Sequence, residues 1–346
     1  MVNAMVTELQ IQKNYLNNEC IETLYFGGGT PSLLTLGELD LIMQAIYKIY
    51  SLSSVPEITL EANPDDLTSN KLKGYKQLGV NRLSLGIQSF QDDILTFINR
   101  IHNANTAQSS YYDAREAGIE NISIDLIYAI PGLDSNRWIN DIERTIKLNP
   151  EHISCYSLTI EEKTVFGNWS ASGKIKLVED EVSAQQFELL SSHLQENEYQ
   201  HYEISNFAKA GYHSRHNTSY WQQEKYLGIG PSAHSYNLST RQFNVRNNHL
   251  YLKSIQQGII PAEIEVLTRE NKINEIILTT LRTMWGIDLI KLKKIHRFDL
   301  LKNRMEYLNY LQNKGLATIT NNFLVLTQKG KLLADKIASD LFVHEL

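Results

Sequence analysis

Cysteine is scarce in this chain: Cys20 and Cys155 are the only two among 346 residues, and they lie far apart. Two isolated cysteines suggest no disulfide framework and fit a reducing cytoplasm. They form no CxxC-type metal motif, and they cannot supply three thiols to one site. Long apolar runs are missing as well, since none approaches the roughly 18 residues that cross a bilayer. The start of the chain lacks the basic segment and apolar core of a signal peptide. There is no excess of basic residues either. The net charge of −6 argues against the broad cationic surface used in nonspecific nucleic-acid binding. The expectation is a cytoplasmic protein with no nucleic-acid partner. What is present is 42% hydrophobic and 21% charged residues, enough for a large core. The length fits one large domain with one or two smaller ones.

The most informative feature is Gly27-Gly28-Gly29-Thr30-Pro31, placed directly after the strand-like run Thr23-Leu24-Tyr25-Phe26. Glycine lets bare backbone approach a small molecule and accepts positive φ without penalty. Further strand-like stretches span 57–62, 82–89, 121–128 and 152–159. They are short and rich in Ile and Leu, as parallel strands covered by helices are. Helical spacing of Leu39, Ile42, Met43, Ile46 and Ile49 predicts a helix over 38–50. Gly79 and Gly118 end helical patterns just before strands. The repeated βα unit implies a parallel sheet with right-handed crossovers, open or barrel-shaped. A helix over 179–198 closes this region. Periodicity fades from 203 to about 261, which reads as ordered loop with some short structure. Helical patterning returns after Leu267, and two short strand runs over 316–326 flank Asn321-Asn322, a hairpin turn signal. Helices followed by a hairpin resemble a winged-helix unit. Its interspersed Glu and Asp point to packing or partner binding rather than DNA. The expected domains are 1–202, 203–264 and 265–346.

In βα folds the working residues gather where strands end. Those ends read Gly27 to Pro31, Glu61-Ala62-Asn63-Pro64, Gln88-Ser89-Phe90, and Asp125 within an apolar strand. Buried acids and amides cost several kcal/mol unless paired, so their recurrence at one level suggests a shared polar ligand. Glu61 and Asp125 suit hydroxyls or an ammonium, and Arg100 suits a carboxylate. Plainer readings exist for each one. The glycines could form only a tight turn, Glu61 and Arg100 a structural ion pair, and Gln88 and Asp125 satisfied barrel-mouth groups.

Tyr25-Phe26-Gly27-Gly28-Gly29-Thr30-Pro31-Ser32, Leu60-Glu61-Ala62-Asn63-Pro64, Gly86-Ile87-Gln88-Ser89-Phe90, Asp125-Leu126-Ile127-Tyr128 and Ile130-Pro131-Gly132 resemble the radical SAM family of oxygen-independent coproporphyrinogen III oxidases. Within that family they are nearer to its haem-chaperone branch. The resemblance runs through nearly the whole chain. It implies an α/β fold, a partial (β/α)6 barrel with a C-terminal helical, winged-helix-like domain. It also implies that S-adenosylmethionine contacts Gly29, Thr30, Pro31, Glu61, Gln88, Arg100 and Asp125. The family begins with a strand and a CxxxCxxC loop that ligates a 4Fe–4S cluster through three thiolates. This sequence begins at what resembles the helix after that loop. The barrel is therefore expected to lack its first strand and the cluster ligands, leaving an exposed edge and no electron source for radical chemistry. A misplaced start codon or a truncated gene is the expected cause, testable by an in-frame strand and CxxxCxxC upstream.

The segment His216-Asn217-Thr218-Ser219-Tyr220-Trp221 resembles the family's HNxxYW signature for haem. The resemblance implies contacts from His216, Asn217, Tyr220 and Trp221, with His216 a candidate iron ligand. Imidazole is a common axial ligand, and Tyr and Trp offer flat faces with polar tips. The plainer reading has His216 bonding a loop carbonyl and Trp221 sealing a junction. The implied function is a haem chaperone delivering haem to an acceptor haemoprotein of the respiratory chain, with transient membrane association through that acceptor. The alternatives are an anaerobic coproporphyrinogen III oxidase, or a βα-barrel enzyme holding a phosphate at the glycine loop. No Lys or Arg beside the glycines supports the phosphate.

Overall fold

The computed structural model of the protein describes residues 1–344. Two compact units emerge: Met1–Leu24 with Thr35–Glu57 and Arg215–Leu346, and Tyr25–Leu34 with Ile58–Ser214. The largest sheet has seven strands: β1 (Ile21–Phe26), β2 (Leu52–Ala62), β3 (Arg82–Gln88), β4 (Asn121–Tyr128), β5 (His152–Ser157), β6 (Gln200–Glu203) and β7 (Asn206–Ala208). Their order is β1-β2-β3-β4-β5-β7-β6. Strands β2 to β5 pair in parallel, and β7 and β6 continue the sheet antiparallel. With helices connecting the parallel strands, this is the partial α/β barrel expected from the sequence.

Within the second unit the strands alternate more strongly than their Ile and Leu content suggests. Leu83, Leu85, Ile87, Ile122, Ile124, Leu126 and Ile153 are fully buried and alternate along their strands with Arg82, Ser84, Ser123, Asp125, His152 and Ser154. Successive side chains on a strand face opposite sides. Register places Ser84 beside Ser123 and Ser123 beside His152, so one face of the sheet is apolar and the other polar. A sheet packed apolar on both faces would read as continuous hydrophobic runs; this one does not, because its second face is built for polar contacts.

In the first unit the helix Leu36–Ile49 buries Leu39, Ile42, Met43 and Ile46. Each such side chain contributes about 1.5–3 kcal/mol. Thr35 and Glu38 form a reciprocal capping box at its start, a feature that typically adds about 1 kcal/mol. The stretch expected to be mostly loop holds more structure than its pattern signals. It contains the helices Arg215–Trp221 and Asn248–Gln256 and an antiparallel sheet of β8 (His234–Tyr236), β9 (Thr240–Asn244) and β10 (Ala262–Val266) in the order β10-β9-β8. The reason is a polar core. Gln242 and Asn244 on β9 are buried and bond Gln12, which caps the end of the helix Val2–Ile11, and Glu8 within it, so no apolar periodicity marks the strand.

The C-terminal part follows the winged-helix order. Helix Arg269–Thr280 precedes β11 (Ile287–Asp288), then come helices Leu289–His296, Leu300–Asn303 and Met305–Asn313, then the hairpin β12 (Ala317–Thr320) and β13 (Phe323–Leu326). These strands order as β11-β13-β12. Asn321 and Asn322 both have positive φ, 52° and 66°, the pair of left-handed residues that a two-residue type I′ hairpin turn demands.

Candidate functional site

In the second unit the glycine loop serves three separate ends. A Cβ on Gly27 would stand 2.5 Å from the Tyr25 ring and 2.9 Å from Glu61 Oε1, so Gly27 makes room for the Tyr25–Glu61 pair. Gly28 and Gly29 both have φ of +68°, with nothing within 4 Å of a Cβ. They permit the turn and leave open space beside bare backbone. Thr30 leads into a single 3-10 turn, Pro31–Leu33. Ser32 Oγ then donates to Asp66 Oδ2 at 2.6 Å and accepts from Asn63 N at 3.3 Å, while Lys71 Nζ donates to Ser32 O at 2.7 Å. The loop is thus clamped to the turn after β2.

Glu61 sits under this loop. It accepts from Tyr25 OH at 2.6 Å and from Gly28 N at 3.3 Å. Arg100 does not pair with Glu61; its Nη1 donates to Asn63 Oδ1 at 2.8 Å, leaving its other donors for a carboxylate. Partial burial lowers its pKa, opposed by the charges of Asp65 and Asp125. Gln88 ends β3 in the left-handed region at φ 69°, an unfavourable conformation for a residue with a side chain. Gly86 makes this fold-back feasible, since a Cβ there would lie 2.9 Å from Gln88 Nε2. Asp125 accepts from Ser84 Oγ at 3.0 and 2.9 Å and from Ser123 Oγ at 3.1 Å. Loss of water raises its pKa to about 6, against the lowering effects of Ser84 and Arg82, and Glu61 adds to the rise. Burial and the Glu61 charge likewise raise the Tyr25 phenol, which stays protonated and donating.

The structure brings together Gly29, Thr30, Pro31, Glu61, Gln88, Arg100 and Asp125 around the last residues of the strands. Sequence reading missed Tyr25, Ser32, Ser84, Ser123 and the buried pair His152–Tyr202, whose Nε2 and OH lie 2.8 Å apart. The available signal was the period-two polar alternation in β3 to β5. Gly27→Ala is expected to destabilise the unit by about 1–3 kcal/mol, because the Tyr25 ring must leave Glu61. Gly37→Ala, where a Cβ meets nothing, serves as the control in the same chemical denaturation.

In the first unit, the helix Arg215–Trp221 is held at its start by Glu57, which accepts from Arg215 N at 3.0 Å and His216 N at 2.9 Å. The Arg215 guanidinium reaches Val55 O at 2.8 Å and pairs with Glu22. The His216 ring is held on both sides: Nδ1 and Thr23 Oγ1 lie 2.8 Å apart, and Nε2 and Tyr220 OH lie 3.0 Å apart. Tyr220, 39% exposed, meets Tyr226 edge-on at 4.6 Å. Asn217 and Trp221 are half-buried, and the Trp221 indole N–H is buried without a hydrogen-bond partner.

The radical SAM superfamily pattern matches residues 7–145. The haem chaperone HemW of Bacillus subtilis is 38% identical over 92% of this chain and 84% of its own length. The chain belongs to the HemW family. HemW of Lactococcus lactis is 33% identical over the whole chain and 91% of its own length. The coproporphyrinogen III oxidase HemN of Escherichia coli, a radical SAM enzyme, superposes with a TM-score of 0.84 over 99% of this chain and 82% of its own, at 21% identity. That likeness establishes the shared fold.

The groups that a radical SAM family implies can be tested against these residues. S-adenosylmethionine fits: open backbone at Gly28 and Gly29, the carboxylates of Glu61 and Asp125, and a half-buried guanidinium with spare donors match its hydroxyls, ammonium and carboxylate. A three-thiolate 4Fe–4S cluster does not fit the residues of this chain. Cys20 is exposed and Cys155 is buried, its thiol pushed well up by burial and by Asp125. Among the described residues no three His, Cys, Asp or Glu side chains are grouped to hold a metal. Nor is any helix among them long and apolar enough to cross a membrane.

Proposed function

We propose that this HemW-family chain is a haem chaperone that binds haem at the helix Arg215–Trp221 and passes it to an acceptor haemoprotein. The observation that carries the reading is the His216 ring, oriented by tertiary contacts beside the exposed Tyr220, in the same helix as Trp221, whose indole N–H has no hydrogen-bond partner. Imidazole supplies an axial ligand, the aromatic rings a flat apolar face, and the indole N–H a donor for a propionate. His216, Asn217, Tyr220 and Trp221 form this haem contact set, with His216 as the iron ligand.

In the same reading Gly29, Thr30, Pro31, Glu61, Gln88, Arg100 and Asp125 hold S-adenosylmethionine, whose radical chemistry in the superfamily would need an electron from a 4Fe–4S cluster that these residues do not ligate. Gly29 gives backbone N–H, Glu61 and Asp125 accept from hydroxyls or the ammonium, and Arg100 takes the carboxylate. The acceptor is a respiratory-chain haemoprotein, the setting is the cytoplasm, and membrane association is transient and made through the acceptor. The segment 1–202 acts as the barrel, 203–264 carries the haem motif, and 265–346 serves partner binding.

The test is transfer. The haem-loaded chain is mixed with an acceptor apo-haemoprotein, and the acceptor's own Soret band is followed. Growth of that band with loss of haem from the chain is the expected result. Retention of haem, or decarboxylation of coproporphyrinogen III propionates by the chain, would move the assignment to the oxidase.

A further inference from the structure

We propose that Thr23 and Tyr220 are positioning residues for His216: Thr23 fixes the ring so that Nε2 is offered to iron, and Tyr220 covers Nε2 until haem arrives. The inference rests on the reading that His216 ligates haem. Thr23 lies on β1, 193 residues away in sequence, with its hydroxyl 2.8 Å from Nδ1. The ring orientation is thus imposed by the fold and not by the helix alone. The His216 backbone N–H is fixed as well, by Glu57 at 2.9 Å, so both ends of the residue are held before any ligand binds.

A neutral imidazole has one N–H and one lone pair. With Thr23 Oγ1 accepting from Nδ1–H, the lone pair is on Nε2, where the Tyr220 hydroxyl can donate into it. A phenol carries its proton at neutral pH, so the Tyr220 O–H is available as the donor. Histidines that bind metals commonly have the other ring nitrogen fixed in this way, and losing that partner typically lowers metal affinity 10–100-fold. Tyr220 is the exposed member, at 39%. On haem arrival Nε2 exchanges the phenol O–H for the iron. No proton is released, because Nδ1–H stays on Thr23 and Tyr220 retains its own.

The experiment is stopped-flow and equilibrium haemin titration of the full chain, followed at the Soret band. Wild type is compared with Thr23→Val, Thr23→Ser, Tyr220→Phe and His216→Ala, with circular dichroism checking each fold. Thr23→Val is expected to weaken binding about 10–100-fold and to lose the spectrum of a histidine-ligated iron, while Thr23→Ser retains both. Tyr220→Phe keeps the ring but removes the hydroxyl, and should bind about fivefold faster, the equivalent of one ordinary hydrogen bond. If His216→Ala loses haem while Thr23→Val and Tyr220→Phe behave as wild type, the positioning roles are wrong and the haem site stands. If His216→Ala also binds as wild type, the haem site itself is wrong. Should Thr23→Val fail to fold, an unchanged association rate in Tyr220→Phe still overturns the covering role.

Discussion

Replacing Glu8 by leucine is expected to destabilise the first unit by about 3–5 kcal/mol, the cost of leaving several buried donors without their acceptor. Glu8 is 0% exposed, yet its two oxygens are fully occupied. Oε1 accepts from Gln12 Nε2 at 2.9 Å and Asn244 Nδ2 at 2.7 Å, and Oε2 accepts from Gly230 N at 2.8 Å and Tyr251 OH at 2.5 Å. These four donors tie the helix Val2–Ile11 to β9, to the helix Asn248–Gln256 and to the loop at Gly230. Leucine removes the acceptor from all four, Asn244 Nδ2 keeping only its bond to Gly230 O, and each buried donor left unpaired costs about 1–3 kcal/mol before relaxation. Glu8→Gln keeps the shape and one acceptor oxygen, so it should cost less, about 1–3 kcal/mol. The measurement is urea unfolding followed by fluorescence, with Trp221 and Trp285 reporting this unit. A Glu8→Leu midpoint matching wild type would mean that this network does not hold the unit together.

Asn at position 125 should have the opposite effect on stability and a large effect on binding. Asp125 is raised from 3.8 to about 6 in the fold. Between those values the folded chain binds more protons than the unfolded one, so the contribution of Asp125 to stability falls as pH rises from about 4 to 6 and stays low above. The charged form therefore costs up to about 3 kcal/mol at neutral pH. Asp125→Asn removes that cost, and the Ser84 and Ser123 hydroxyls can turn to suit the amide. The variant should be more stable than wild type at pH 7.5, with the gain shrinking to nothing below about pH 4. Affinity for S-adenosylmethionine should fall about tenfold or more, as expected on losing a charge-assisted hydrogen bond. Stability given up for a charged site is a recurrent trade in proteins. Melting curves across pH together with calorimetric titration of S-adenosylmethionine test both parts. A variant less stable at pH 7.5, or equally stable across pH, would contradict the burial argument.

The sheet was legible because β3 to β5 combine Ile and Leu runs with glycine-terminated helices, and these local signals agree with the tertiary structure. Observed strand bounds at Arg82–Gln88 and Asn121–Tyr128 fall within a residue of expectation. β2 was read short, because its first half, Leu52–Pro56, carries serines and a proline that weaken a strand pattern. The Asn321-Asn322 hairpin was legible since only a few residue types adopt paired left-handed conformations. What remained hidden was polar and nonlocal. Glu8, Thr23 and Glu57 carry no motif signal, and each has a partner 158 to 243 residues away. These two networks join single residues of separate elements and leave no periodic trace, unlike the polar face of β3 to β5, so neither the core around Glu8 nor the anchoring of His216 was visible. The plainer alternative of a Glu61–Arg100 ion pair is not what forms, as Arg100 donates to Asn63 instead.

The most direct measurement is haem titration of the purified chain, wild type against His216→Ala, with circular dichroism showing that both are folded. The expected result is a saturable Soret shift at about one haem per chain for wild type, weakened at least tenfold in the variant, on the scale of a lost metal-site contact. Equal, saturable binding by the folded His216→Ala chain would contradict the placement of haem on the helix Arg215–Trp221.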